Sequence, residues 1–200
     1  MSIVSISAIL KSAPCTFHID LSYRGSNPCR GALGNRKPAV CTDAVPTAIL
    51  SIKPVYAKQI LAGTKKIELR KSPMGFSARD VILVYSSAPE QQITFWFEIA
   101  SVEVCPVDEM WARHQGSLGI DYEDYFSYFS GTSTAAGLHV GKVQAVSPIP
   151  LARIEKLVPD FVPPQGLIWL KDEIGRFERL LAALSMPLPA HVFAQQTLMF

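Results

Sequence analysis

Apolar and polar positions fall into a regular pattern only from about residue 45 onward. Ala48-Ile-Leu-Ser-Ile52 is an apolar run of strand length, and Pro54 just after it suits the first turn of a helix. The spacing predicts that helix over Pro54–Ala62, with Val55, Ile60 and Leu61 inward and Gly63 as its stop. Lys66–Arg70 alternates Ile67 and Leu69 with Lys66, Glu68 and Arg70, the period of a half-buried strand. After a turn at Ser72–Gly75, Asp80–Tyr85 is apolar enough for a central strand, and Ile93–Val104 is a long β-rich run ended by Pro106. Short helices are predicted over Asp108–Gln115, with Met110 and Trp111 inward, and over Asp121–Phe129, where Tyr122, Tyr125, Phe126 and Phe129 share a face. Ala135–Val146 is a further strand, stopped by Pro148-Ile-Pro150. Leu151–Leu157 makes one or two turns, and a short segment lies around Leu167–Leu170. Lys171–Leu184 is the clearest helix, with Ile174, Phe177, Leu180, Leu181 and Leu184 as its stripe. Short strands with interspersed helices and no βαβ alternation predict an α+β fold with a small, mostly antiparallel barrel or curled sheet.

Residues 1–44 lack this pattern. They are rich in Ser, Gly, Pro and Arg and read as a poorly ordered extension. No methionine occurs between Met1 and Met74, so a start at a non-AUG codon near Val45 would leave them outside the protein. The expected division is therefore 1–44 as extension, 45–170 as the domain, and 171–200 as a helix and tail packed on it.

Charge sharpens the picture. The net charge is only +2. Residues 45–80 carry seven Lys/Arg against two Asp/Glu, and residues 81–140 carry one against eight. A basic segment followed by an acidic one fits a charged cleft rather than a general polycation. The four cysteines form no C-x-x-C pair and read as free thiols of a reducing, cytoplasmic compartment. No apolar stretch is long enough to span a membrane, and the first basic residue, Lys11, follows the initial apolar run instead of preceding it as in a signal peptide. No phosphate-binding loop, dinucleotide fingerprint or nucleophile elbow is present, and no cofactor is expected. His114 and His139 have no ligand partner at a recognisable spacing, so no metal is expected either.

The chemistry concentrates in Gly63-Thr-Lys-Lys-Ile-Glu-Leu-Arg70. On a strand Lys66, Glu68 and Arg70 share a face, with Lys65 at the preceding turn. Glu68 pairing bidentately with Arg70 would leave Lys65 or Lys66 for an anion; the alternative is a solvated row of modest ion pairs. Ser86 and Ser87 end a central strand, where they either contact a ligand or cap a turn. Tyr85 and Trp96 are stacking candidates, with Phe95 and Phe97 assigned to the core on the other face. Glu123 or Asp124 would approach Lys65 across the cleft or remain on a solvated helix face.

Ile49-Leu-Ser-Ile-Lys-Pro54, Ile60-Leu-Ala-Gly-Thr-Lys-Lys-Ile-Glu-Leu-Arg70 and Asp80-Val-Ile-Leu-Val-Tyr-Ser-Ser87, in this order, resemble the opening of an ASCH domain, whose signature is G-x-K-x-x-E-x-R. Glu98–Val104, Trp111, Tyr125–Gly131, Ala136–Val143 with Pro148–Leu151, and Phe161–Gln165 resemble its later parts, so the likeness covers about residues 47–170. It implies a PUA-like small β-barrel with short helical insertions, and a cleft beside Gly63, Lys65, Glu68 and Arg70. It also implies binding of RNA or a nucleotide-like fragment. Lys53, Gly63, Lys65, Lys66, Arg70, Tyr85, Ser86, Ser87 and Trp96 are the candidate ligand contacts, and Lys71 adds to the basic patch. The alternative is a metal-independent hydrolase acting on RNA or a modified nucleoside, with Lys65, Glu68 and Glu123 as catalytic groups. In the amidohydrolase members a threonine stands where this chain has Glu68, so no hydroxyl occupies that point.

Overall fold

A computed structural model describes residues 45–170 and 173–187. The extension assigned to residues 1–44 and most of the C-terminal tail lie outside the described residues. Among the described residues, six strands form one sheet: β1 (Pro46–Ile52), β2 (Ile67–Arg70), β3 (Val81–Ser86), β4 (Gln92–Pro106), β5 (Thr134–Pro150) and β6 (Leu167–Trp169). Five helices join them: α1 (Pro54–Leu61), α2 (Val107–His114), α3 (Tyr122–Tyr128), α4 (Leu151–Leu157) and α5 (Ile174–Ala183). The strand order is β2-β5-β4-β3-β1-β6, and only the β1–β3 pair is parallel. This is a mixed α+β fold. β2 and β6 lie at the two ends of this order and are not paired with each other, so the sheet is not closed into a barrel.

β3, flanked by β1 and β4, is buried along its whole length because its alternate side chains enter core clusters on both faces of the sheet, as its unbroken apolar run requires. Alternation along the strands divides the core. Ile49, Leu83, Tyr85 and Trp96 face α4 and α5, while Leu50, Ile82, Val84, Phe95 and Phe97 face α1. A third cluster, with Ile67, Leu69, Met110, Tyr125 and Phe129, lies beneath α2 and α3. The stripe of α5 is buried as its periodicity demands, with Phe177, Leu180 and Leu181 fully enclosed.

Two elements differ from expectation. In α1 the inward residues are Ala57 and Ile60, three apart, while Val55 and Leu61 are exposed. Residues five or six apart do not share a helical face. β5 also runs through Pro148 and Pro150 instead of stopping before them. Leu151 donates its N–H to Gln91, so by alternation the nitrogens of Pro148 and Pro150 face away from β4. β2 pairs β5 only over Ala136–His139, and no ladder bond depends on the missing donors. No helix among the described residues is long and apolar enough to cross a membrane.

Candidate functional site

The end of β1, the first turn of α1, strand β2 and helix α3 enclose a cleft of about 490 Å³. Each element delivers its residues for a local reason. Pro54 starts α1 directly after Lys53, leaving Lys53 at the mouth and Tyr56 on the wall. Gly63 turns the chain out of α1 with φ +74°, a conformation that favours glycine, and does not itself line the cleft. β2 then places Glu68 and Arg70 on the cleft side while Ile67 and Leu69 enter the core beneath α2 and α3.

Lys65 is the least ordinary group. It is 2% exposed, and its Nζ donates to the carbonyl of Leu118. Glu68 Oε2 lies 3.8 Å from that ammonium, and the Tyr56 ring centroid 5.0 Å. Burial lowers the Lys65 pKa, the Arg70 charge adds to this, and Glu68 opposes both. Room for the lysine stem exists because residue 119 is glycine. A Cβ there would stand 2.9 Å from the Lys65 Cβ and 2.3 Å from Gln59 Oε1, at φ +65°.

Arg70 Nη2 donates to Glu68 Oε1 at 3.0 Å and to the Ser51 carbonyl at 2.9 Å. The Glu68–Arg70 pairing therefore runs through one nitrogen and is not the expected bidentate fork. Arg70 Nε is buried without a hydrogen-bond partner, and the side chain, 15% exposed, lines the cleft. Tyr56 and Tyr128 also line it, and both phenols are pushed up, first by burial. For Tyr56 the carboxylates of Asp124, Glu68 and Asp121 push the same way.

The candidates from the sequence separate into groups. Lys53, Lys65, Glu68 and Arg70 meet at the cleft. Lys66 does not join them. β2 begins only at Ile67, Lys66 is exposed, and Lys65 is the lysine turned inward. Glu123 is exposed on α3, and the neighbouring Asp124 faces the cleft in its place. Trp96 is 1% exposed in the core beneath α4 and α5. It does face opposite Phe95 and Phe97, but that face is covered and offers no surface for stacking. Ser86 is buried and donates to Glu90 Oε2 at 2.8 Å. Tyr85 and Ser87 line a neighbouring hollow of about 350 Å³ that shares Ser51, Ile52, Lys53 and Gln165 with the cleft. Tyr56, Tyr128 and Gln165 were missed. Tyr56 had a usable signal, since it follows Lys53 within the first turn of a helix leading to the basic segment. Gln165 closes a stretch, Phe161-Val-Pro-Pro-Gln165, that resembles longer family members, but nothing in its spacing ties it to the cleft, to which only folding brings it.

A second constellation lies away from the cleft. His114 and His139, 11 and 36 residues from Glu103 in sequence, both place Nε2 within 3.0 Å of its carboxylate. Those separations explain why spacing alone gave the histidines no partner.

Comparison with known proteins accords with this architecture. Residues 50–145 match the model of the ASCH domain. Over 128 residues the chain is 30% identical to an ASCH domain-containing ribonuclease of Zymomonas mobilis, covering 63% of this chain and 85% of the relative. The crystal structure of ASCH from Zymomonas mobilis has a TM-score of 0.62 at 26% identity, covering 68% of this chain and 93% of that one. A serine-to-alanine mutant of the same protein gives 0.61 at 26% identity, covering 70% and 96%. The matched segment contains every cleft residue except Gln165.

Proposed function

The chain belongs to the ASCH domain family, and on that premise we propose that its cleft binds an RNA strand. The observation that carries this reading is the arrangement of Arg70. Glu68 and the Ser51 carbonyl both accept from its Nη2, which fixes the guanidinium, and the side chain lines the cleft while staying 15% exposed. A guanidinium held in place beside an open cleft suits a phosphate oxygen. Lys53 at the mouth supplies a second cation, and Tyr56 and Tyr128 supply rings against which a base stacks. The name of the relative, a ribonuclease, supports RNA as the ligand class.

Strand cleavage is the second reading, favoured by Lys65. A buried amine whose pKa is lowered spends more time neutral near physiological pH than an exposed lysine does, and so is better able to take a proton. In this reading Lys65 accepts the proton of the attacking hydroxyl, directly or through water. The attacking oxygen forms a new bond to phosphorus as the bond to the leaving oxygen breaks, the leaving oxygen takes a proton from water, and Arg70 stabilises the charge on the phosphoryl oxygens. Fluorescence anisotropy with labelled single-stranded RNA, alongside denaturing gels with and without chelator, separates the readings. Salt-sensitive binding that weakens in Arg70→Met supports the RNA cleft. Cleavage lost in Lys65→Met with binding retained adds catalysis. Wild-type affinity in Arg70→Met, with its fold intact, overturns the cleft assignment.

A further inference from the structure

Outside the cleft, three metal-ligating side chains converge from three separate elements. Glu103 stands on β4, His114 ends α2 and His139 lies on β5. The Nε2 atoms of His114 and His139 lie 3.0 and 2.9 Å from the same oxygen, Glu103 Oε2. The three donor atoms are within 4.8 Å of one another. The imidazole planes meet at 83° with their centroids 5.5 Å apart, so the rings do not stack on each other. We propose that Glu103, His114 and His139 bind one divalent ion of the Zn2+ type, with a coordination position left to solvent.

Two imidazoles and one carboxylate form a donor set suited to Zn2+ and its first-row neighbours, and poorly suited to Mg2+, which favours all-oxygen coordination. A tetrahedral ion with ligands at about 2.0–2.1 Å holds its donors about 3.3 Å apart. Both imidazole–carboxylate separations therefore need to open by only a few tenths of an ångström. Each of the three side chains is roughly a quarter exposed, at 23%, 22% and 26%, so an ion reaches them and water completes its shell. Arg113 Nη1 lies 2.8 Å from Glu103 Oε1, and its Nη2 lies 3.0 Å from Glu109. The guanidinium thus sets a positive charge beside the far carboxylate oxygen, which accepts no hydrogen bond, while Oε2 is the oxygen that meets both histidines. Its charge also opposes the cation, which moderates affinity.

The site connects to the cleft through the chain. The segment that follows His114 carries the carbonyls of Ser117 and Leu118, which receive the Lys66 N–H and the Lys65 ammonium. An ion joining the end of α2 to β4 and β5 anchors the start of that segment.

A hydrogen-bonded Glu–His–His triad with no metal role would show the same separations, so the test must keep the hydrogen bonds and remove the ligands. His114→Gln and His139→Gln retain an N–H donor toward Glu103 but replace imidazole with a weak ligand. The full chain, stripped with chelator, is titrated with Zn2+ by calorimetry and with Co2+ by visible absorption. The expected result is a saturable equivalent of Zn2+ and Co2+ bands of a four- or five-coordinate ion. Both should weaken about tenfold or more in each Gln variant, together with the Zn2+-dependent rise in Tm. Circular dichroism verifies the fold of each variant, and if one unfolds the other carries the comparison. Where cysteines or histidines elsewhere in the full chain take up Zn2+, the variants, not the stoichiometry, decide. Wild-type Zn2+ affinity in the folded variants overturns the proposal, as does absence of saturable binding to the wild type.

Discussion

Lys65 and Gly119 form one packing unit, and each gives a separable prediction. The ammonium donates to a carbonyl 53 residues away and stands beside Glu68, so its removal acts on stability as well as on the cleft. Lys65→Ala leaves the Leu118 carbonyl short of a donor and should cost roughly 1–3 kcal/mol in urea denaturation. Lys65→Met keeps most of the stem and should lose less. The pH dependence has a definite sign. The Lys65 pKa is lowered from 10.5, so between the folded and unfolded values the unfolded chain binds the extra proton. Stability of the wild type relative to Lys65→Met should therefore rise with pH through that window, up to about 10.5. A flat or falling difference, measured at matched salt, would show that burial does not disfavour the charged amine. Gly119→Ala forces a Cβ against Gln59 and Lys65 at a positive φ and should cost about 2 kcal/mol or more. An unchanged Tm would mean that the loop moves aside freely.

At the scale of elements, α5 is the clearest case. Phe177 is fully buried in the cluster that holds Trp96, Tyr85 and Phe161, and its ring centroid lies 6.5 Å from that of Phe161. Phe177→Ala should cost roughly 3–5 kcal/mol. A loss below about 0.5 kcal/mol in denaturant midpoints would mean that α5 leaves the sheet in solution. α5 was legible because five apolar residues repeat with a helical period, a signal that needs no partner to be read. α1 was placed correctly, but its inward face was not. Its core contact needs only Ala57 and Ile60, and Val55 and Leu61 are apolar without being inside. The β5 prolines misled for a related reason. A proline stops a strand only where its nitrogen must donate, and the direction of that nitrogen is set by the partner strand.

Across the whole molecule, the charge division of the sequence becomes a division across the cleft. Lys53, Lys65 and Arg70 come from the basic segment, and Asp124, on α3, comes from the acidic one. Asp124→Asn should strengthen RNA binding at low salt, and the gain should fade as salt rises, because screening shortens the reach of the removed charge. Anisotropy titrations at several salt concentrations measure this. A loss of affinity instead would assign Asp124 to a direct contact with the ligand.

The sequence by itself determined the elements, the division of charge and the octapeptide that carries Lys65, Glu68 and Arg70, because periodicity, turn residues and short motifs are local properties of a chain. It also determined that Phe95 and Trp96 face opposite ways, which strand alternation requires. Which face is covered was decided only in three dimensions, where α4 and α5 pack over Trp96. The same holds for the choice of Lys65 over Lys66, for Asp124 over Glu123, and for the meeting of His114 and His139 on Glu103. Each depends on where β2 begins, how α3 is rotated, or which strands pair. Those are set by the packing of distant segments, and sequence spacing carries no record of them.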